Sequence, residues 1–307
     1  MTERMESPVV MIVFRRPEIT RRVFSAVANA RPKRLFIIAD GPRANSTEDS
    51  TRCEEVRKIV TSVSWPCQLE TNFAEHNMGL RPRVVSGLNW VFSKVEDAII
   101  LEDDCLPHPS FFPYCCELLD RYRDRHQIAS IAGFNPMPEK GSFEFSYYYS
   151  LVMNCWGWAT WRRAWKEYDD HLESWPEVKQ ANLLYQLFPD ANVVAYWGRI
   201  FDMMYRGEGP NTWDYPWVYT CWKRNWLTIV PRRNMIENIG LGPDSTHTSV
   251  ADPAYCPPVE AMELPLRHPP AITPWPDRTM RMQRRFFSTR IMERVRRRLR
   301  LKFHSRF

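Results

Sequence analysis

The segment 98–106 constrains the fold of this chain more than any other. Its sequence, Ala-Ile-Ile-Leu-Glu-Asp-Asp-Cys-Leu, runs from four apolar residues into three adjacent carboxylates, and Pro107 and Pro109 follow. A short apolar run that ends at breakers predicts a strand buried on both faces, as in a parallel sheet. Carboxylates at the carboxyl end of such a strand lie where open α/β sheets bind ligands. The residues alone leave two interpretations open: a site for a hard divalent cation, or a solvated acidic turn.

Strand-like and helix-like patterns alternate through the first half of the chain. Apolar runs predict buried strands at 9–14, 35–39, 98–101 and 128–134, and an alternating pattern predicts a strand at 67–73. Helical apolar stripes predict helices at 17–29, 54–63, 83–95 and 110–124. This order predicts an α/β fold with a mostly parallel, doubly wound sheet. Because GxGxxG and P-loop motifs are missing from the sequence, a dinucleotide-dependent dehydrogenase and a P-loop NTPase are disfavoured.

The second half of the chain is rich in tryptophan. Ten of the 13 tryptophans lie between Trp156 and Trp226. We expect most of these ten indoles to pack in a core. Indole faces also stack on sugar rings; we expect one or two of the ten to do so, and Trp156, Trp158 or Trp217 could be among them. Further helices are predicted around 182–188, 193–205 and 211–225, and a strand is predicted at 227–231.

The C-terminal residues carry a charge opposite to that of the rest of the chain. Residues 278–307 hold twelve Lys and Arg and one acid, a net of +11, which leaves −5 for residues 1–277 out of a total of +6. Apolar residues recur four apart in this tail, which predicts a basic amphipathic helix: Phe287, Ile291, Val295 and Leu299. Such a helix favours attachment to an anionic membrane surface; a nucleic-acid-binding tail, which is disfavoured, and a disordered tail are the alternatives.

The sequence lacks a recognisable signal peptide and any apolar run long enough to span a bilayer. We therefore expect a cytoplasmic protein with reduced cysteines, peripheral at the inner face of the membrane.

Six short motifs, in order along the chain, resemble those of the GT-A glycosyltransferases. They are Phe14-Arg15-Arg16-Pro17, Ala39-Asp40-Gly41-Pro42, Asn77-Met78-Gly79-Leu80, Leu101-Glu102-Asp103-Asp104, the segment 156–161, and Asn238-Ile239-Gly240 with Thr246-His247. The chain resembles bacterial HlpA-like sugar transferases and, more distantly, N-acetylglucosaminyltransferase I. The resemblance implies a Rossmann-like, nucleotide-sugar-binding half at 1–146 and an acceptor and catalytic half at 147–255. A proline-rich connector at 256–277 and the basic tail at 278–307 follow.

The resemblance implies a transferase that depends on Mn²⁺ or Mg²⁺ and moves a sugar from a UDP-sugar to a glycan or lipid-linked acceptor. Asp104 is implied as the metal ligand, Asp103 as a partner of the ribose or sugar hydroxyls, and Glu102 as a residue directed toward the donor sugar. His247, beside Asp244 and Thr246, is implied as a further ligand of the metal or the diphosphate. The alternative is a structural histidine. If His247 does bind the metal, its neutral imidazole suits Mn²⁺ better than Mg²⁺.

Other motif residues are implied to hold the nucleotide. Asp40 is implied to hydrogen-bond the uracil or ribose while Gly41 lets the chain turn, and a simple Asp-Gly turn is the alternative. The remaining residues are implied to line the base, the donor sugar or the phosphates: Arg15, Arg16, Asn77, Gly79 and Arg81.

Asp214 is implied as the catalytic base. An inverting transferase needs a group that takes the proton of the acceptor hydroxyl as that hydroxyl attacks the anomeric carbon. In N-acetylglucosaminyltransferase I the base lies in a Trp-Asp-Asp-Trp segment, whereas this chain has Trp213-Asp214-Tyr215-Pro216-Trp217, with the second acid missing and one residue inserted. The alternative role is a helix N-cap. Two other functions stay open: a sugar-nucleotide nucleotidyltransferase, and a non-catalytic protein that binds sugar or nucleic acid.

Overall fold

The computed structural model describes residues 5–139, 141, 144–240 and 257–289. Within them the strands are β1 (Val9–Val13), β2 (Arg34–Ala39), β3 (Gln68–Phe73), β4 (Asp97–Glu102), β5 (Cys105–Pro107), β6 (Ile128–Ala132), β7 (Tyr147–Ser150), β8 (Trp158–Trp161), β9 (Leu227–Pro231) and β10 (Ile236–Asn238). The helices are α1 (Pro17–Ala30), α2 (Thr47–Thr61), α3 (Leu80–Phe92), α4 (Phe111–Arg121), α5 (Arg162–Trp165), α6 (Trp175–Gln180), α7 (Leu183–Leu187), α8 (Ala191–Tyr205), α9 (Asp214–Lys223) and α10 (Pro276–Phe286).

Eight of the described strands form one sheet in the order β3-β2-β1-β4-β8-β6-β9-β7. Strands β3, β2, β1 and β4 are parallel neighbours, and β6 pairs in parallel with β9. Strand β8 lies antiparallel between β4 and β6, and β7 lies antiparallel to β9 at the edge. The predicted α/β, Rossmann-like fold with a mostly parallel sheet flanked by helices is therefore confirmed.

The sheet separates two hydrophobic cores, because successive side chains of a strand point to opposite faces. On β1, Val9, Met11 and Val13 face the core that contains α1, α2 and α4, whereas Val10 and Ile12 face the core that contains α3, α8 and α9. All five residues are buried. Burial on both faces explains why β1, β2 and β4 read as continuous apolar runs rather than as alternating ones.

Three boundaries differ from the sequence predictions for local reasons. Helix α2 begins at Thr47, seven residues before the predicted start, because Ser46 accepts a hydrogen bond from the Asp49 N–H and caps it. Helix α3 begins at Leu80, directly after Gly79, and not at residue 83. Strand structure also continues past the acidic triplet: a second strand, β5, begins at Cys105 and pairs antiparallel with β10.

The tryptophan-rich half contributes strands that the sequence analysis did not predict. Strands β7 and β8, together with the predicted β9, lie in the same sheet as β1 to β4, so the two predicted halves share one sheet. Most of the indoles are core residues, as expected. Trp158 and Trp217 are fully buried, so the prediction that either could stack on a sugar is wrong; Trp156 is partly buried and packs on Phe134.

The first part of the basic tail packs against the protein. Helix α10 buries Met282, Gln283 and Phe286, and the Arg284 guanidinium lies 2.7 Å from the Asp190 carboxylate on the neighbouring helix. The apolar face of α10 is covered by protein, and of the four residues predicted to form the membrane-facing stripe only Phe287 is described. Residues 290–307 lie outside the described residues, so membrane attachment through them stays a prediction. In the described part of the chain, no helix has the length and apolar character needed to cross a bilayer.

Candidate active site

The acidic triplet lies at the carboxyl edge of the parallel strands, beside the start of α1. The Arg16 Nη2 group donates to Asp103 Oδ1, and it also donates to Asp104 Oδ2 at 3.0 Å. The backbone N–H of Phe14, at the end of β1, donates to Asp103 Oδ2 at 3.3 Å. Because β1 and β4 are adjacent and parallel, residues 85 or more positions apart meet at this edge. Arg16, predicted to bind base or phosphate, is thus the ion-pair partner of two triplet carboxylates.

Negative charge exceeds positive charge around the triplet. Burial, followed by the charges of Asp104, Asp103 and Asp214, raises the pKa of Glu102 to about 8 against the opposing effect of Arg16. Burial also raises the pKa of Asp103, and Arg16 opposes that shift. Among the described residues, no group hydrogen-bonds the Glu102 carboxylate. An additional cation would therefore relieve repulsion here, as would a proton.

The β5–β10 pair places Gly240 against the triplet. The Ile239 N–H donates to the backbone oxygen of Asp104 at 2.9 Å, which fixes the chain after β10 beside the acidic turn. Strand β10 pairs residue for residue with β5, which directly follows Asp104. The acidic turn is therefore covered on one side by the backbone of residues 239 and 240.

The donor chemistry of Asp103 and Asp104 fits a hard divalent cation, which binds carboxylate oxygens. One oxygen of each carboxylate forms an ion pair with Arg16, and the other oxygen of Asp104 lies 3.6 Å from the thiol sulfur of Cys105. Within the described ranges, no three His, Cys, Asp or Glu side chains converge as a complete ligand set. Mg²⁺ and Mn²⁺ are commonly held by one or two carboxylates together with substrate phosphates, so a partial set is compatible with them. His247 and Asp244 lie outside the described residues, and their ligand roles stay predictions.

Asp40 organises the loop that follows β3. Its Oδ1 accepts from the Gly41 and Met78 N–H groups at 2.8 and 2.9 Å, and its Oδ2 accepts from Asn77 Nδ2 and the Gly79 N–H at 2.9 and 3.1 Å. A Cβ atom at Gly41 would lie 2.5 Å from the His76 backbone, so only glycine fits there. The carboxylate is therefore a structural anchor of the loop at 77–79. Contact of these residues with a base or ribose stays a prediction.

The other two predicted arginines engage acids outside the triplet. Arg15 lies 3.3 Å from Asp49, a fully buried carboxylate near the start of α2. Arg81 lies 2.7 Å from Asp170 and also donates to the Asp170 backbone oxygen. Neither arginine takes part in the ion pairs of the triplet. A role of either arginine at a phosphate stays a prediction, and it would require the guanidinium to exchange or share its present partner.

Asp214 is the first residue of α9, and Trp213 holds the N-cap position. The Asp214 carboxylate accepts from the Tyr215 N–H at 3.0 Å and from the Thr212 hydroxyl. A carboxylate in the first turn interacts favourably with the helix dipole. The predicted N-cap role of Asp214 is wrong, because Trp213 holds that position. The charge of Asp214 raises the pKa of Glu102, and it also raises the pKa of the partly buried Cys155 thiol, for which desolvation is the larger cause. The fold thus brings Asp214 near the triplet from more than 100 residues away.

Asp214 also lines a cleft that the sequence analysis did not predict. The cleft has a volume of about 40 Å³, and its other walls come from α8, α9, α10 and the segment 152–155. Its walls include Cys155 and Gln283, two residues that were not singled out in the sequence. No short motif could have identified them, because their proximity depends on the packing of α10 against the sheet.

Comparison with known proteins gives structural similarity without sequence similarity. No protein-family profile matches the chain, and none of the curated proteins matches it. A structure of UDP-glucose pyrophosphorylase complexed with UDP-glucose is similar over 76% of this chain and 94% of that one, with 11% identity and a TM-score of 0.37. Residues 1–349 of TarS from S. aureus are similar over 75% of this chain, with 10% identity and a TM-score of 0.38; this chain spans 59% of that one. Similarity at this level carries no information about function.

Proposed function

We propose that this protein is a metal-dependent glycosyltransferase that uses a nucleoside-diphosphate sugar, with UDP as the nucleotide, and an acceptor hydroxyl on a glycan or lipid-linked glycan. The observation that carries the proposal is the pair Asp103 and Asp104, held by Arg16 at the strand edge, with Asp214 at the start of α9 close enough for its charge to raise the pKa of Glu102. Four carboxylates share this region, and Arg16 pairs with two of them. A site with this excess of negative charge suits a cation that carries a diphosphate.

Asp104 and Asp103 would hold the cation, Mn²⁺ or Mg²⁺, in this proposal. When bound, the cation would supply charge neutralisation to the leaving nucleoside diphosphate. Arg16 already fixes the orientation of both carboxylates, so the site is preorganised before the donor binds. Glu102, which is partly buried, would face the donor sugar.

Asp214 would act as the general base. It takes the proton from the acceptor hydroxyl while that oxygen forms a bond to the anomeric carbon, and the bond from this carbon to the diphosphate oxygen breaks. One base on the acceptor side is what an inverting reaction requires. The hydrogen bonds from Thr212 and the Tyr215 N–H hold one carboxylate oxygen, Oδ1, which fixes the orientation of the other.

Thermal unfolding with nucleotides tests the proposal. UDP, UMP, GDP and dTDP are added separately to the full chain, with and without Mn²⁺, and the unfolding midpoint is measured. We expect UDP with Mn²⁺ to raise the midpoint, because ligand at 100 times its Kd stabilises the folded state by about 2.7 kcal/mol. Asp104→Asn should remove the effect. The proposal is wrong if no nucleotide shifts the midpoint under either condition.

A further inference from the structure

The cleft beside Asp214 is largely apolar. Trp197 from α8, Val218 and Trp222 from α9, and Phe287 after α10 contribute to its walls. Its volume of about 40 Å³ is far below that of a site for a whole small molecule, and it suits a group of a few atoms. A hydrophobic cleft of this size with few polar groups can bind a small substituent through its apolar surface.

Gln283 supplies a polar group that the protein does not satisfy. The residue is fully buried, and its Oε1 accepts a hydrogen bond of 2.8 Å from the Trp197 indole. An indole N–H can only donate, which fixes the orientation of the Gln283 amide. The Nε2 group therefore points away from Trp197, and in the described part of the chain it has no hydrogen-bond partner. A buried donor without a partner is destabilising by about 1–3 kcal/mol, and such groups are rare.

The combination of apolar walls and one unsatisfied donor defines the ligand chemistry. The group that fits is small and apolar, and it carries an oxygen that accepts one hydrogen bond. An acetamido substituent on a sugar has this composition, since its methyl group suits the aromatic walls and its carbonyl oxygen suits an amide N–H. A plain hydroxyl would leave the aromatic walls without an apolar partner.

We propose that the cleft binds the acylamino group of the acceptor sugar, with Gln283 Nε2 donating to the carbonyl oxygen. This inference rests on the proposed function, in which Asp214 serves the acceptor. Because Asp214 lines the cleft, a substituent bound there would place a hydroxyl of the same sugar ring within reach of the base. Gln283 is then a specificity-determining residue contributed by the C-terminal helix.

Ligand-observed NMR on the full chain tests this assignment. Free N-acetylglucosamine, glucosamine and glucose are each added in the presence of UDP and Mn²⁺, and saturation transfer from the protein is measured. We expect transfer to N-acetylglucosamine, strongest at its acetyl methyl, and little transfer to the other two sugars. Gln283→Leu should weaken binding of N-acetylglucosamine about tenfold, because one hydrogen bond of about 1.4 kcal/mol is lost.

A second variant, Val218→Phe, keeps the assignment testable if Gln283→Leu fails to fold. Val218→Phe fills the cleft from α9 and leaves Gln283 in place, and Val194→Phe is the matched control, since Val194 is equally buried in the same core but does not line the cleft. We expect the first of these variants to abolish the methyl signal and the second to retain it. Equal transfer to glucose, or no transfer while UDP still stabilises the protein, would overturn the inference. Failure of UDP itself to bind would instead refute the proposed function.

Discussion

Gly240 lies directly over the Asp104 carboxylate: a Cβ atom at position 240 would stand 2.5 Å from Asp104 Oδ2. The same atom would stand 2.7 Å from Arg16 Nη1, so the ion pair and the glycine backbone are in close contact. The β5–β10 pairing holds Gly240 in this position. The absence of a side chain at Gly240 therefore leaves the room that the Asp104 carboxylate, the proposed metal ligand, occupies.

Gly240→Ala should displace the Asp104 carboxylate. We expect Mn²⁺-dependent UDP binding to weaken at least tenfold, with a small change in the unfolding midpoint, and titration calorimetry measures both the affinity and the metal requirement. Gly198→Ala is the control, because its Cβ would have only Leu184 Cδ1 nearby, at 4.0 Å, and alanine stabilises a helix by about 0.5–1 kcal/mol relative to glycine. Unchanged affinity in Gly240→Ala would separate Gly240 from the binding site.

Arg16→Met should destabilise the protein and increase its response to cations. The substitution leaves Asp103, which is almost fully buried, without its ion-pair partner, and we expect a loss of about 1.5–3 kcal/mol in the free energy of unfolding. Added Mn²⁺ should raise the free energy of unfolding of this variant by more than it raises that of the wild type. Arg21→Met, which removes exposed ion pairs to Glu18 and Glu55, is the control and should change little. Equal losses in the two variants would contradict the central role of Arg16.

Asp214→Asn should stop transfer without preventing nucleotide binding. The amide can still accept from the Tyr215 N–H through its oxygen, so the start of α9 is retained, but it cannot take a proton. We expect turnover to fall by about 10²-fold or more, in the range typical of the loss of a general base, while UDP affinity stays nearly unchanged. Transfer is measured as UDP released per acceptor glycosylated. Near-normal turnover would exclude Asp214 as the base.

The fold was predictable wherever its determinants were local. The apolar runs of β1, β2 and β4 and the helical stripe of α1 depend on neighbouring residues, and their boundaries match the sequence predictions within one or two positions. Strand β8 was not predicted because its segment, Trp158–Trp161, has no apolar alternation. It becomes a strand by pairing with β4 and β6, and neither partner can be identified from the segment itself.

The candidate site shows the same limit. The triplet was recognisable because its three acids are adjacent, but Arg16 and Asp103 are 87 residues apart, and only the parallel register of β1 and β4 brings them together. Asp40 was correctly expected at the end of a strand. Its partners, however, include backbone N–H groups 38 and 39 residues further along, and every residue type except proline supplies such a group. The sequence therefore could not distinguish an anchor of the loop from a ligand of a nucleotide.

Asp40→Asn should reveal that anchoring role. The new amide group would face the Asn77 amide or backbone N–H donors, so at least one buried donor would lose its acceptor. We expect the free energy of unfolding to fall by about 1–3 kcal/mol, measured by urea denaturation. Asp120→Asn, at an exposed carboxylate on α4, is the control. If both variants unfold alike, the hydrogen bonds of Asp40 do not stabilise the loop.

His268 should make the stability of the fold depend on pH. Its Nδ1 lies 2.8 Å from the Tyr147 hydroxyl, and its Nε2 lies 3.0 Å from Glu117, so the connector before α10 is attached to β7 and α4. Burial lowers the pKa of His268 below its usual 6.5, and Arg121 lowers it further, although Glu117 opposes them.

The sign of this pH dependence follows from the direction of the shift. The unfolded chain binds a proton at His268 more readily than the folded protein does, so the stabilisation is present above pH 6.5 and is lost as the pH falls below that value. His268→Gln should flatten the decline in unfolding free energy between pH 7 and pH 5, since glutamine can hydrogen-bond the same partners and does not titrate. His126→Gln, at an exposed histidine, should leave the slope unchanged. Urea denaturation at half-unit pH intervals measures the slopes, and identical slopes in all three proteins would show that His268 is not the titrating group.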